Sequence, residues 1–400
     1  MINIDLIFFI IFAVVLLVVM VFNRKRLKIE KILFPLFYLV LYRTKLGINA
    51  MKRISEKYPR LISFLGYLGI VVGFLGMIVV FYGLIKSAIL IFTTTNPSAG
   101  VDILLPGRQI PGLPRLSFWH WIISIFILAV VHEFSHGVVA KRYGIKIKSS
   151  GFAVFSILLP ILPAAFVEPD EKILAKKNKK QQLSVFAAGS FSNMLVALLF
   201  GLLFFFLLNP VSASLIKAEG VKVIGLQEDY PLYKSGISIN EEIIEINNVP
   251  VKEVNDFVNI MKNVKPGDKI DIKTNTSSYN VIASIHPEDS SRGYVGVFLS
   301  SIKTSTRDDI WWASTFLWLR LTVFWIFIIN LFVGLFNLFP LAILDGGRIF
   351  YVMLLHFFNN NETKSKTIFK IVNVICIFLL LINFWPRLAT YIIKFIGLFV

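Results

Sequence analysis

Residues 4–22 are apolar throughout except for Asp5, and apolar runs of similar or greater length return at 61–92, 116–140 and 183–208. A helix of roughly 20 such residues crosses the hydrocarbon layer of a bilayer. Inside that layer each backbone N–H and C=O must be satisfied by the chain itself, which leaves helices and closed barrels as spanning structures. The fold expected is therefore a polytopic α-helical membrane protein, with about six spans plus re-entrant or interfacial segments. Hydrophobic residues make up 56% of the chain, as this class requires. The net charge of +17 does not point to nucleic acid, because the basic residues cluster beside the apolar runs. That is the pattern of cytosolic flanks, with attraction to anionic lipid as its other consequence. Cys376 is the single cysteine, so no intrachain disulfide framework exists.

The first run carries no basic residue ahead of it, whereas Arg24, Lys25, Arg26, Lys28 and Lys31 follow. This charge order suits a permanent span with its amino terminus outside and residues 23–60 in the cytosol. Residues 32–42 are short and interrupted by Pro35, which suits an interfacial or re-entrant piece. In the second run Gly66, Gly69, Gly73, Gly76 and Gly83 mark one helical face for close packing on a neighbour. The Pro- and Gly-rich residues 93–115 read as an external loop, and Trp119, His120 and Trp121 as the outer interface of the third run. Residues 1–60 form an amino-terminal region, 61–210 a membrane core, 306–358 a further core segment and 359–400 a carboxy-terminal membrane segment. For 311–358 we expect an interfacial helix and then one long, partly unwound inward pass. For 371–400 a break is expected at Trp385-Pro386-Arg387.

The third run contains His132-Glu133-Phe134-Ser135-His136. Residues four apart share a helix face, so both imidazoles can reach one metal ion while Glu133 stands beside the first. Ionisable groups at membrane depth are costly and mark function. Lys141, Arg142, Lys146 and Lys148 follow, which puts the motif nearer the cytosolic side. A catalytic zinc takes three protein ligands and leaves one position open. Asp345, a carboxylate in apolar surroundings beside Gly346 and Gly347, is the best third candidate. Residues 151–167 carry Pro160 and Pro163 and suit a hairpin or re-entrant loop beside the site. Asn193, in the fourth run, is read either as an interhelical hydrogen-bond partner or as part of the site.

Residues 211–305 change character: charges of both signs alternate with Val and Ile, and turn signals recur. This inserted, mostly-β domain resembles a PDZ domain, which implies a groove taking an extended peptide by strand addition. The charge rule places it outside.

His132-Glu133-x-x-His136, Gly189-x-x-x-Asn193, the PDZ-like insert, and Asn337-x-x-Pro340 ahead of Leu344-Asp345-Gly346 together resemble the site-2 protease family of intramembrane metalloproteases. The Glu168-Pro169-Asp170-Glu171 region is similar as well. Leu338 stands where many members carry proline. The resemblance implies one zinc per chain on His132, His136 and Asp345, with Glu133 as acid and base. It also implies that Asn193 and Asn337 position substrate or polarise its carbonyl. The expected activity is hydrolysis of peptide bonds within or next to transmembrane helices of membrane-anchored proteins, as in regulated intramembrane proteolysis. Its partners would be those proteins, the lipid bilayer, and a peptide or substrate ectodomain at the PDZ-like domain. A metal-binding membrane transporter and a catalytically silent PDZ scaffold are the rival readings. The first gives no reason for a Glu between the ligands, and the second none for an intact motif.

Overall fold

The computed structural model describes residues 4–23, 27–33, 37–94, 99–101, 104–107, 113–157, 159–218, 220–287, 289–301, 304–306 and 310–396. In chain order the elements are α1 (Ile4–Phe22), β1 (Leu27–Leu33), β2 (Phe37–Thr44), α2 (Ile48–Lys57), α3 (Pro59–Thr93), α4 (Phe118–Arg142), β3 (Ile147–Ile157), β4 (Leu159–Pro169), α5 (Glu171–Ala175) and α6 (Lys179–Leu202). A π-helical turn (Leu203–Leu208) leads to α7 (Asn209–Ala213), β5 (Ile216–Ala218), β6 (Val221–Leu226), α8 (Pro231–Lys234), β7 (Glu242–Ile246), β8 (Val249–Pro250), α9 (Val254–Met261), β9 (Lys269–Thr274) and β10 (Ser278–Ile282). Then come β11 (Ser284–Ile285), β12 (Gly293–Tyr294), β13 (Val297–Ser301), β14 (Thr304–Thr306), α10 (Ala313–Phe336), α11 (Asp345–Phe357) and α12 (Glu362–Ile396). Two compact units result: Met1–Phe204 with Leu321–Val400, and Phe205–Arg320.

Among the described residues six helices are long and apolar enough to cross a membrane: Ile4–Phe22, Pro59–Thr93, Phe118–Arg142, Lys179–Ser212, Ala313–Phe336 and Glu362–Ala389. Close contact between α3 and α6 rests on the glycine face. A Cβ on Gly66 would lie 3.1 Å from Ser184, and one on Gly73 would touch Ala187 at 3.5 Å. Gly83 faces open space and plays no part in that packing. Ser117 caps α4 through the His120 N–H, and the Asn178 carboxamide oxygen caps α6 through the Gln181 N–H.

The first unit also holds a four-stranded antiparallel sheet in the order β1-β2-β3-β4. Residues 151–167 form most of the β3–β4 hairpin. The interfacial or re-entrant piece expected at 32–42 is replaced by strand pairing, since β2 runs from Phe37 to Thr44 against β3. Paired backbone is satisfied by its neighbour, so this segment needs no helix. Arg24, Lys25, Arg26 and Pro35 lie outside the described residues. Arg43 on β2 and Ser149 on β3 both reach the Glu168 carboxylate on β4, at 3.2 and 2.7 Å.

His120 and Trp121 are buried against protein: His120 pairs with the Ser117 hydroxyl, and the Trp121 indole donates to the Leu104 carbonyl. Two further expectations are corrected. The separate interfacial helix expected at the start of 311–358 is absent among the described residues, because α10 is already one spanning-length helix from Ala313. Unwinding is confined to the stretch between Phe336 and Asp345. At the carboxy terminus α12 continues through Pro386 without the expected break.

The second unit has the sheet order β10-β9-β7-β6-β13, with β8 paired to β7. Alternate residues of β9 face inward, so Ile270 and Ile272 are buried with Val221, Val223, Ile243 and Ile246. The helix α9 packs its Phe257 and Met261 onto the same core.

Candidate metal centre

The helix α4 carries His132, Glu133 and His136, and brings the two imidazole Nε2 atoms to 3.2 Å from each other. Asp345, the first residue of α11, completes the group. Its Oδ2 lies 3.1 Å from His132 Nε2 and 3.2 Å from His136 Nε2. The backbone explains how Asp345 gets there. Between α10 and α11 the chain doubles back, the Gly346 N–H donates to the Asn337 carbonyl at 2.8 Å, and Leu338 and Phe339 are wholly buried. A Cβ on Gly346 would collide with the Leu338 carbonyl, and one on Gly347 with that of Leu341. The Asp-Gly-Gly sequence is therefore a steric requirement of the fold-back that presents the carboxylate.

The helix α6 supplies the support, at positions four apart on one face. Val185 offers its carbonyl to His136 Nδ1 at 2.7 Å. Gly189 offers no side chain, and a Cβ there would stand 2.6 Å from His132 Nε2. Asn193, fully buried, sets its carboxamide 3.0 Å from His132 Nδ1. Asn193 Nδ2 stands against Nδ1 and Oδ1 is buried without a partner; exchanging the two amide ends lets Oδ1 accept an Nδ1–H from His132. With both Nδ1 atoms protonated and held, both Nε2 atoms turn bare lone pairs toward Asp345. Two lone pairs and a carboxylate converging at this range fit a divalent metal ion, and the held Nδ1–H groups are the outer shell that such histidines use. Ser190 adds a hydroxyl donor to Asp345 Oδ2 at 3.3 Å.

Glu133 lies beside these residues, and its Oε2 accepts the Val167 N–H of β4 at 2.9 Å. A cavity of about 380 Å³ opens between these elements. It is lined by His132, Glu133, His136 and Asp345, by β4 from Ala164 to Val167, and by Asn337 and Arg348. Arg348 stacks its guanidinium over Phe186 at 5.6 Å from the ring centre.

Of the residues singled out in the sequence, His132, Glu133, His136 and Asp345 come together, and Asn337 stands in the cavity wall. Asn193 is not among the residues lining the cavity; its carboxamide meets His132, which is the interhelical hydrogen bond that is one of its two sequence readings. Sequence reasoning missed Val185, Ser190 and Val167, and gave Gly189 no role beyond its place in Gly189-x-x-x-Asn193. The four-residue period of Val185, Gly189 and Asn193, matching that of the two histidines, was the available signal.

The family model described as Peptidase family M50 matches residues 120–383. An uncharacterized protein of Methanocaldococcus jannaschii is 26% identical over 341 residues, covering 84% of this chain and 82% of that protein. Among solved structures, the PDZ domain of an SdrC-like protein from Listeria monocytogenes is 21% identical, covering 20% of this chain and 87% of its own, at a TM-score of 0.18. The corresponding domain from Listeria innocua is 20% identical, covering 21% and 98%, also at 0.18. The family match runs from the start of α4 into α12, across every residue of the converging group, and the chain accordingly belongs to peptidase family M50, the site-2 protease family of metallopeptidases.

Proposed function

We propose that this chain is an intramembrane zinc metalloprotease, cutting peptide bonds within or next to transmembrane helices of membrane-anchored proteins. The observation that carries the reading is the convergence of His132 Nε2, His136 Nε2 and Asp345 Oδ2 beside Glu133, on helices of spanning length. These three atoms would hold one zinc ion, which supplies Lewis acidity that polarises a carbonyl and lowers the pKa of water. Glu133 is the proton carrier. The Val167 N–H holds Oε2, which leaves Oε1 to take the proton of the attacking water and return it to the leaving nitrogen as the C–N bond breaks. Val185 and Asn193 keep the imidazoles in one tautomer, and Ser190 keeps the carboxylate oriented. Asn337, in the cavity wall, is placed in our reading to donate to the substrate carbonyl.

A helical substrate hides its carbonyls in its own hydrogen bonds and must unwind to be cut. The β4 edge beside the cavity supports capture of the unwound stretch by strand addition. In the second unit a groove of about 270 Å³ lies between α9 and the edge strand β13, lined by Phe257, Met261, Phe298 and Leu299, with His286 and Arg292 also on its wall. It supports our reading of this unit as a PDZ-like peptide or ectodomain receptor. The basic flanks of α4 support a site nearer the cytosolic side and the inserted domain outside.

The test uses purified full-length chain with a single-span model substrate. Wild type should hold one zinc and cut the substrate. Glu133→Gln should keep the zinc and lose at least about a hundredfold in rate, the usual size of general-base catalysis. Equal rates in both would sink the mechanism.

A further inference from the structure

Resting on the protease reading, we infer that Arg348 binds the anionic half of the reaction: its guanidinium receives the carboxylate that cleavage of a peptide bond creates on the acyl side.

Arg348 lies one helical turn past Asp345 on α11 and lines the same cavity as His132, Glu133 and His136. No other lysine or arginine among the described residues lines that cavity. The guanidinium lies over the Phe186 ring of α6, and Phe186 directly follows Val185, whose carbonyl holds His136. A cation over an aromatic face is held there while its N–H groups stay free to donate. Among the described residues this guanidinium has no hydrogen-bond or ion-pair partner. Other arginines of the same unit are committed: Arg43 to Glu168, Arg115 to Asp5, and Arg142 to the Pro59 carbonyl and the Ser63 hydroxyl. A planar fork with unspent donors beside the metal group matches a carboxylate, whose two oxygens it can take together.

The charges of the cavity favour the same ligand. Glu133 and Asp345 balance a divalent ion, which leaves Arg348 as a positive charge in excess. An intact peptide bond is neutral. Hydrolysis adds one water: the C–N bond breaks, a C–O bond forms, and both water protons finish on the leaving nitrogen. The acyl half then ends in a carboxylate, ionised at neutral pH because its pKa is roughly 3.5, and the other half in an ammonium. Glu133, tied to β4 through Val167, is the anion available to the ammonium, and Arg348, resting on α6, is the cation available to the carboxylate. Negative charge on the acyl half builds as the water attacks. The guanidinium therefore gains more from the transition state than from the substrate, and speeds the cut.

The test starts from a single-span peptide without Asp or Glu, so that no side-chain carboxylate competes. Mass spectrometry locates the cut made by wild type, and the amino-terminal product is synthesised ending in a carboxylate or a carboxamide. Binding of both forms is measured on full-length, zinc-loaded Glu133→Gln, alone and combined with Arg348→Gln or Arg348→Met. The carboxylate form should bind Glu133→Gln more tightly, and removing Arg348 should cut that preference at least about tenfold, as loss of a charge-assisted hydrogen bond does. Attraction of the carboxylate to the metal is common to all these proteins and cancels. In an otherwise wild-type chain Arg348→Gln should lower kcat/KM by at least about tenfold with zinc content unchanged. Equal preference with and without Arg348, or an unaltered kcat/KM, overturns the inference. So does an Arg348-dependent gain that appears only when an Asp is placed beside the cut, since the guanidinium then serves a substrate side chain. If one substitution loses zinc, the other decides; loss of zinc in both makes Arg348 a support for Asp345 and also overturns it. Wild type that holds zinc and cuts nothing has a different meaning, since it defeats the protease reading itself and leaves no acyl product to bind.

Discussion

His136 and Val185 are joined by a 2.7 Å hydrogen bond from an imidazole Nδ1 to a backbone carbonyl, and this bond sets the tautomer of a residue on another helix. The carbonyl belongs to a helix whose next turns carry Gly189 and Asn193 on the same face. α6 is therefore the template against which the α4 histidines are oriented, and the predictions below test that relationship and its counterparts.

Asn193→Ala should weaken zinc binding by roughly 10- to 100-fold, the usual cost of losing an outer-shell partner of a metal-bound histidine. Competition with a chromogenic chelator measures it. Asn193→Asp keeps an acceptor for His132 Nδ1 and should recover most of the affinity. Equal affinity in wild type and Asn193→Ala would remove Asn193 from the site.

Gly189→Ala places a methyl among the two imidazoles. Zinc per chain should fall well below one, while helix content by circular dichroism stays near wild type. Gly83→Ala, on a face with nothing within 4 Å, should change neither quantity.

Gly346→Ala drives a Cβ into the Leu338 and Phe339 carbonyls. The fold-back must shift, and Asp345 shifts with it. We expect loss of zinc together with a lower thermal midpoint, since strain at a close backbone approach is destabilising as well as displacing. Retention of both would show that the turn relaxes without moving the carboxylate.

In the second unit Glu241 is pushed up by burial but held down at about 2 by the Thr274 and Thr276 hydroxyls, the Ser238 N–H and the Tyr279 hydroxyl. A depressed carboxylate stabilises the fold above its ordinary value of 4.5 and loses that contribution as pH falls toward 2. Hydrogen exchange of the amides around Thr274, corrected for intrinsic rates, should therefore show protection declining from pH 4.5 to 2. Glu241→Gln should be less protected at neutral pH and flatter across that window. A parallel pH profile in both proteins would refute the assignment.

The sequence by itself determined the local chemistry. Four-residue spacing puts His132 and His136 on one helix face beside Glu133 wherever that helix lies, and the long apolar runs dictate spanning-length helices. Alternation along Lys269–Thr274 likewise marks a half-buried strand. Only the tertiary structure decided which distant residues meet. Asp345 is more than two hundred residues from the histidines. Its approach depends on a fold-back with no periodicity to announce it. Strands β1 and β2 join β3 and β4 across about a hundred intervening residues, a pairing that local patterns do not encode. Asn193 meets His132 because of how α6 packs on α4. The physical reason is common to these cases. A helix in lipid is apolar on every side, so the amphipathic contrast that tells a soluble helix which face to bury is missing. Its neighbours are chosen instead by glycine-sized clearances and single hydrogen bonds, which take on meaning only once the helices are packed.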